Sequence, residues 1–255
     1  MPWRGLFEAV GVLADAEGSD DLYRRSKPPQ GDFVFDETVA DVFPDMIKRS
    51  VPGYPAIINM IQLLAGRYAQ PHTRLIDLGC SLGASTLALA TGAAGRDCRI
   101  TAVDNAPAMI EKARLGTGAE PASIDWVCGD IREATIDNAS IVVLNFTLQF
   151  LPTAERLPLL QRVHDGLRPG GILILSEKIA GADAAGDALL VDMHHAFKQA
   201  NGYSKLEISR KRSALENVLT PETVEAHRQR LRQAGFQRAD VWFQCFNFMS
   251  LVASA

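Results

Sequence analysis

A chain of 255 residues, nearly half apolar and about a fifth charged, is long enough for one large soluble α/β domain. Its longest apolar runs, such as "IVVLNF" and "ILIL", are far too short to span a membrane. With 30 acids against 26 bases the net charge is −4, which argues against a basic surface that grips nucleic acid directly.

Residues 1–30 are polar and mixed, broken by "SKPPQG", and read as a flexible amino-terminal arm. No basic region precedes the arm's apolar patch, so no secretory signal is read. A single domain is expected over 31–255. It begins with two helices within 36–70, separated by the Pro52-Gly53 turn. "RLIDLG" then reads as a strand and "ASTLALATGAA" as a helix. "RITAVD" is a strand, and "APAMIEKAR" a helix with Asn105 as its N-cap. "IDWVCGD" follows as a strand, and "SIVVLNF" as one buried on both faces. "TAERLPLLQRVHDGL" is a helix ended by "RPGG", and "GILILSEK" the next strand. Strands alternating with helices predict a parallel sheet. Residues 180–219 break the pattern with two helical stretches and no strand. After them "TPETVEAHRQRLRQAGF" reads as a helix capped by Thr220, and "ADVWFQCFN" with "FMSLVAS" as a closing antiparallel pair.

Gly79 and Gly83, in "DLGCSLGAST", bracket a turn at the carboxyl end of the first strand, where open α/β sheets bind ligands. A dinucleotide fingerprint needs a second glycine where Ser81 stands, and no Gly-Lys-Ser/Thr follows to make a P-loop. What remains admits a nucleoside without a diphosphate. Asp104 ends the second strand, where an acid accepts from ribose hydroxyls. Asp130 ends the third, placed to accept from an adenine amino group while Ile131 packs the ring. Asn145 ends the fourth. Together these strand ends read as an adenosine pocket.

Cys80, Cys98, Cys128 and Cys245 form no C-x-x-C pair, which suits a reduced, cytoplasmic protein without a zinc site. Cys80 has no accompanying base and is expected to serve by its backbone. His194 and His195 are adjacent, so on a helix they point about 100° apart and do not share a metal as i, i+4 pairs do. No metal is expected. The charges of "SRKRS" read, by pattern alone, as a solvated helix face.

The strings "DLGCSLG", "AVDNAPAMI", "GDI" and "LRPGG", with the closing strand pair, resemble the class I S-adenosylmethionine-dependent methyltransferase fold. Longer strings resemble the carboxy-S-adenosyl-L-methionine synthase family more closely, from about residue 31 onward. They include "FDETVADVFPDMIKRSVPGY", "VVLNFTLQFL", "NGYSKLEISRKRSALENV" and "WFQCFNF". The resemblance implies a Rossmann-like, mostly parallel seven-stranded sheet with a carboxy-terminal antiparallel pair and helical insertions.

It also implies that S-adenosyl-L-methionine is the substrate and carboxy-S-adenosyl-L-methionine the product, with prephenate as carboxyl donor and phenylpyruvate released. In the mechanism so implied, hydroxide leaving prephenate takes the methyl proton, and the resulting ylide captures carbon dioxide. The implied partners are a second copy in a homodimer and, functionally, a separate tRNA-modifying enzyme that makes 5-carboxymethoxyuridine at the wobble position. The ligand-contacting positions carried over by motif are Tyr54, Gly79, Cys80, Ser81, Asp104, Asn105, Asp130, Ile131, Asn145 and Arg212. Arg212 is the residue expected to hold the added carboxylate, since a guanidinium donates two parallel hydrogen bonds to such a group. Arg210 and Lys211 keep the solvated reading. Arg49, Lys178, Lys198, Lys205 and Arg212 are the candidate cations for prephenate. The 180–219 segment is read as a lid or an intersubunit arm. Two rival functions share the adenosine pocket: an ordinary methyltransferase acting on a small molecule or tRNA, and a non-catalytic S-adenosylmethionine-binding module.

Overall fold

In the computed structural model, which describes residues 19–24, 34–116, 124–216 and 218–255, seven strands form one sheet in the order β3-β2-β1-β4-β5-β7-β6. They are β1 (Arg74–Leu78), β2 (Arg99–Asp104), β3 (Ile124–Cys128), β4 (Ala139–Asn145), β5 (Leu167–Lys178), β6 (Arg238–Cys245) and β7 (Phe248–Ser254). β1 to β5 pair in parallel, and β7 lies antiparallel between β5 and β6. The expected α/β architecture is therefore the one observed. The chain runs outward from β1 to β3 and then crosses back to β4. The carboxyl ends of β1 and β4 thus form the crevice at which strand order reverses.

Side chains alternate across a strand, so strands apolar at both parities need helices on both faces. Leu75, Ile141, Val143 and Ile174 pack with Ile57 and Ile61 of α2 (Tyr54–Tyr68) and Leu89 of α3 (Ala84–Gly92). Their neighbours Ile76, Val142, Leu144 and Leu173 pack with Leu159 and Leu160 of α5 (Thr153–Gly166) and Leu231 of α8 (Val224–Ala234). Every residue of β4 is buried, as its unbroken apolar run predicts.

A third cluster joins α1 (Glu37–Ser50) and α4 (Pro107–Gly116) to the amino-terminal segment, where Leu22 and Tyr23 meet Val39, Val42, Met46 and Met109. Residues 19–24, expected within a flexible arm, are docked here. Two large buried side chains, at about 1.5–3 kcal/mol each, oppose the entropy of fixing so short a segment. The rest of the arm lies outside the described residues.

Three local expectations shift. α8 is capped by Thr223, not Thr220, and the Thr223 Oγ1 accepts the Ala226 N–H at 3.2 Å. The preceding residues are drawn straight because Glu222 bridges Ile179 in parallel and is held by Arg156 and Arg230. α4 begins at Pro107, which leaves Ala106, not Asn105, before its first residue, with the Ala106 N–H donated to the Asp104 side chain. "RPGG" lies inside β5 as an outward bulge, because Ala139 pairs with Leu167 but Ile141 with Ile172. The insertion consists of α6 (Ala184–Ala200) and α7 (Lys205–Glu216), as the sequence pattern predicts.

Candidate active site

β1 delivers the chain to Gly79 and α3 receives it after Gly83, both at positive φ, 84° and 85°. A Cβ on Gly79 would lie 2.3 Å from Thr147, and one on Gly83 2.4 Å from Trp126, so neither position accepts a side chain. Ser81, between them, also takes a left-handed φ of 50°. Its N–H donates to Asp104 Oδ2 at 2.8 Å, while Asp104 Oδ1 accepts the Ala106 N–H at 2.9 Å. Burial raises the Asp104 pKa against the pull of these backbone donors. Each oxygen has accepted one hydrogen, so lone pairs remain for ligand hydroxyls.

Asp130 follows β3 and is clasped by the Arg132 guanidinium and N–H, which hold its carboxyl below the usual range. Arg132 also reaches Glu155 at 2.5 Å. Ile131 is buried beside them. At the end of β4, the Asn145 Oδ1 is buried with no hydrogen-bond partner among the described residues. Phe146 takes a left-handed φ of 62°, pinned by its N–H donating to the Ser176 carbonyl at 2.7 Å. Behind the glycine turn Asp77 accepts from the Thr86 hydroxyl at 2.6 Å, and burial pushes its pKa up to about 6. Burial and Asp77 also raise the Tyr54 phenol at the start of α2. The Cys80 thiol is raised by burial and by Asp77 and Asp104, which disfavours a thiolate nucleophile.

Tyr54, Gly79, Cys80, Ser81, Asp104, Asn105, Asp130, Ile131 and Asn145 all line one cavity of about 600 Å³, the size of a small-molecule site. The unpartnered Asn145 acceptor, the two-sided Asp104 carboxylate and a glycine turn open to close approach fit a nucleoside bearing hydroxyl and ammonium donors. Arg212 is not among these lining residues. It is exposed on α7 and lines a separate shallow surface pocket with His195 and Lys205.

The cavity continues past Tyr54 along an aromatic wall. Ring centroids lie 6.3 Å apart from Tyr54 to Phe146, 5.8 Å from Phe146 to Phe248, and 4.8 Å from Phe248 to His194. His194 Nε2 sits 2.8 Å from the Ser50 carbonyl. Burial pushes its pKa down to about 3, so the neutral ring donates there. His195 turns away to the shallow pocket, as adjacent helical positions require.

Of the five candidate cations, Lys178 and Lys198 line the cavity. Arg49 instead donates to the Asn201 carbonyl at 2.7 Å and to Asp45 at 2.9 Å. Lys211 departs from its solvated reading: it is buried and lines the cavity, with Nζ 3.3 Å from Asp20 Oδ2 and 3.2 Å from Ser50 Oγ. The cause is the docked 19–24 segment, whose Asp20 also accepts from the Tyr203 hydroxyl. His194, Lys211, Phe146 and Phe248 thus join the site without having been singled out for it. The one available signal was that His194 and Lys198, at i and i+4, share a helix face. Among the described residues no group of three or more His, Cys, Asp or Glu is placed to hold a metal ion. No helix among them is long and apolar enough to cross a membrane.

The sequence profile of a methyltransferase domain family matches residues 75–171, from β1 into the β5 bulge. The solved structure of magnesium protoporphyrin IX methyltransferase from Synechocystis PCC 6803 superposes with a TM-score of 0.56 at 16% identity. The match covers 88% of this chain and 89% of that one, a likeness of fold. Carboxy-S-adenosyl-L-methionine synthase from Geobacter sp. (strain M21) is 57% identical over 238 residues, 92% of this chain and 98% of that protein. The protein of the same name from Salmonella paratyphi C (strain RKS4594) is 58% identical over 236 residues, 92% of this chain and 96% of that protein. With such identity across nearly the full length of those relatives, on a sheet and glycine turn of the methyltransferase type, the chain belongs to the carboxy-S-adenosyl-L-methionine synthase family of enzymes.

Proposed function

We propose that this enzyme converts S-adenosyl-L-methionine to carboxy-S-adenosyl-L-methionine, with prephenate as carboxyl donor. The observation that carries this reading is a single cavity with two unlike ends. One end has the acceptors of a nucleoside site, and the other is aromatic and cationic, in a cavity of about 600 Å³ that leaves room for a second reactant. A methyltransferase acting on tRNA would not need a buried compartment of this kind.

Prephenate loses carbon dioxide and hydroxide as it becomes phenylpyruvate. The hydroxide takes a proton from the sulfonium methyl and leaves as water, and the methyl carbon bonds to the carbon dioxide, so all atoms are accounted for. Hydroxide is a far stronger base than any amine in the cavity, because water has a pKa of about 15.7. The protein's part is to hold the reactants together and exclude water. Asp104 accepts from the ribose, Ile131 packs the adenine beside Asp130, Asn145 accepts from the amino-acid portion, and the Tyr54 ring faces the sulfonium.

Arg212 holds the added carboxylate. Because it lies outside the cavity of its own chain, it reaches that group either when α7 closes or from a second copy. Leu189 and Met193 on α6 and Leu206 on α7 are exposed, which favours the second route and a homodimer. The product serves, in the cytoplasm, a separate enzyme that builds 5-carboxymethoxyuridine in tRNA.

Mass spectrometry of the small molecule that survives purification tests the reading. A species heavier than S-adenosylmethionine by one carbon dioxide supports it. Only S-adenosylmethionine or S-adenosylhomocysteine, unchanged after prephenate is added, would favour the ordinary methyltransferase.

A further inference from the structure

Lys198 and Lys178 stand at the far end of the cavity from the glycine turn, on different elements. Lys198 lies in the last turn of α6, one turn beyond His194 on the same face, and is 7% exposed. Lys178 ends β5, where strand register sets it directly opposite Phe248 of β7. Neither side chain makes a hydrogen bond or ion pair with a described residue, in contrast to Lys211 beside them, which has Asp20. Lys198 is buried and Lys178 half-buried, each without an ion-pair partner among the described residues, and ammonium groups so placed are normally paired. Their placement on a ligand cavity makes the missing anion a ligand. Phe146 and Phe248 give the space between them an apolar wall.

We propose that Lys178 and Lys198 form the anion-binding subsite for the carboxylates of the second substrate, a dicarboxylate with a flat carbocyclic ring that lies against Phe146 and Phe248. This rests on the reading that a carboxyl donor shares the cavity with S-adenosylmethionine, and it names the residues that receive that donor.

The electrostatics give the subsite a pH dependence. Lys198 faces His194 on its own helix, Lys178 from β5, and Lys211 and Asp20 from α7 and the amino-terminal segment. Burial, then Lys211 and Lys178, push its pKa down to about 7. Lys178 is lowered by burial and then by Arg212, with Asp187 opposing. An anion binds the protonated lysine, so affinity is full below about pH 7 and falls as pH rises above it.

The test is calorimetric titration of prephenate into protein saturated with S-adenosylhomocysteine, which carries no methyl group and does not turn over. Lys198→Met and Lys178→Met should each weaken prephenate by about 30-fold or more, while S-adenosylmethionine affinity stays near that of the unsubstituted protein, which also shows that the variants fold. Lys198→Arg should retain prephenate affinity and lose its decline between pH 7 and 9, because a guanidinium stays charged. Prephenate binding equally well to the methionine variants would overturn the proposal, as would its failure to bind the unsubstituted protein. A parallel loss of S-adenosylmethionine affinity would also overturn it, by giving the lysines to the methionine carboxylate. Prephenate that binds as described but yields no carboxylated product with S-adenosylmethionine would leave the subsite standing and remove the reaction.

Discussion

At the end of the cavity formed by β1 to β4, an acid is held by backbone N–H groups: Asp104 takes one each from Ser81 and Ala106. At the end formed by α6, α7 and β5, the charged groups are lysines, and among the described residues only Lys211 of these forms an ion pair, with Asp20. The first end comes from the ends of four strands, β1 to β4, and the turn from β1 into α3. The second is assembled from α1, α6, α7, β5, β7 and residues 19–24. A site built on strand ends is fixed once the sheet forms, whereas one built on packed helices depends on tertiary contacts that each can fail. Substitutions that break the contacts assembling the second end, such as the Asp20–Lys211 pair, should therefore disturb stability, and those at the first mainly ligand affinity.

The sharpest way to break this contrast is Asp20→Ala. It strands Lys211, which is 5% exposed, and should lower the free energy of unfolding by about 3–5 kcal/mol in urea titrations. A loss below 1 kcal/mol would show that the 19–24 segment does not hold the insertion. At the other end, Asp104→Ala should leave the unfolding midpoint nearly unchanged and weaken S-adenosylmethionine by about 2–3 kcal/mol, the size of hydrogen bonds to a charged group. Arg212→Ala should retain S-adenosylmethionine and lose about 2–3 kcal/mol of affinity for the carboxylated product. Equal affinity of that variant for both ligands would remove Arg212 from the carboxylate.

Glu177 separates the regions by pH. It ends the buried part of β5 and accepts the Leu148 N–H at 3.0 Å, which holds the turn after Asn145. Burial raises its pKa from the ordinary 4.5 to about 8, with Arg156 opposing. The folded state thus binds a proton that the unfolded chain has released. Its contribution to stability is complete below pH 4.5 and is lost as pH rises towards about 8. Glu177→Gln should flatten that decline in urea titrations run across the range. The smallest effect is expected at Cys80→Ala. If only the backbone of Cys80 serves the ligand, S-adenosylmethionine affinity should change by no more than about 1 kcal/mol, one neutral hydrogen bond.

The same contrast explains what the sequence discloses. The nucleoside end is written in contiguous strings at strand ends, "DLGCSLG", "VDN", "GDI" and "LNF", because strand and turn are local structures with local signals. The fold is legible for the same reason: the apolar run Ile141–Leu144 marks β4, which is buried throughout. The cationic end is not legible in this way. Lys211 sits in the charged string "SRKRS", where Arg212 is exposed but Arg210 is half-buried and donates to the Tyr23 carbonyl at 2.9 Å, and the burial of Lys211 depends on Asp20, distant in the chain. The start of α8 is hidden by an interaction at similar range, since Glu222 is held straight by Ile179 and by Arg156. Arg212 is named by its motif and not by its own-chain geometry, since it is exposed on α7 and lines a surface pocket apart from the cavity.

The central claim is the origin of the carboxyl group. The most direct measurement is to supply S-adenosylmethionine with prephenate carrying a carbon-13 label in its ring carboxylate and to follow both products by mass spectrometry. The label is predicted in carboxy-S-adenosyl-L-methionine, with unlabelled phenylpyruvate formed in equal amount. Label released only as carbon dioxide, with S-adenosylmethionine unchanged, would contradict the account.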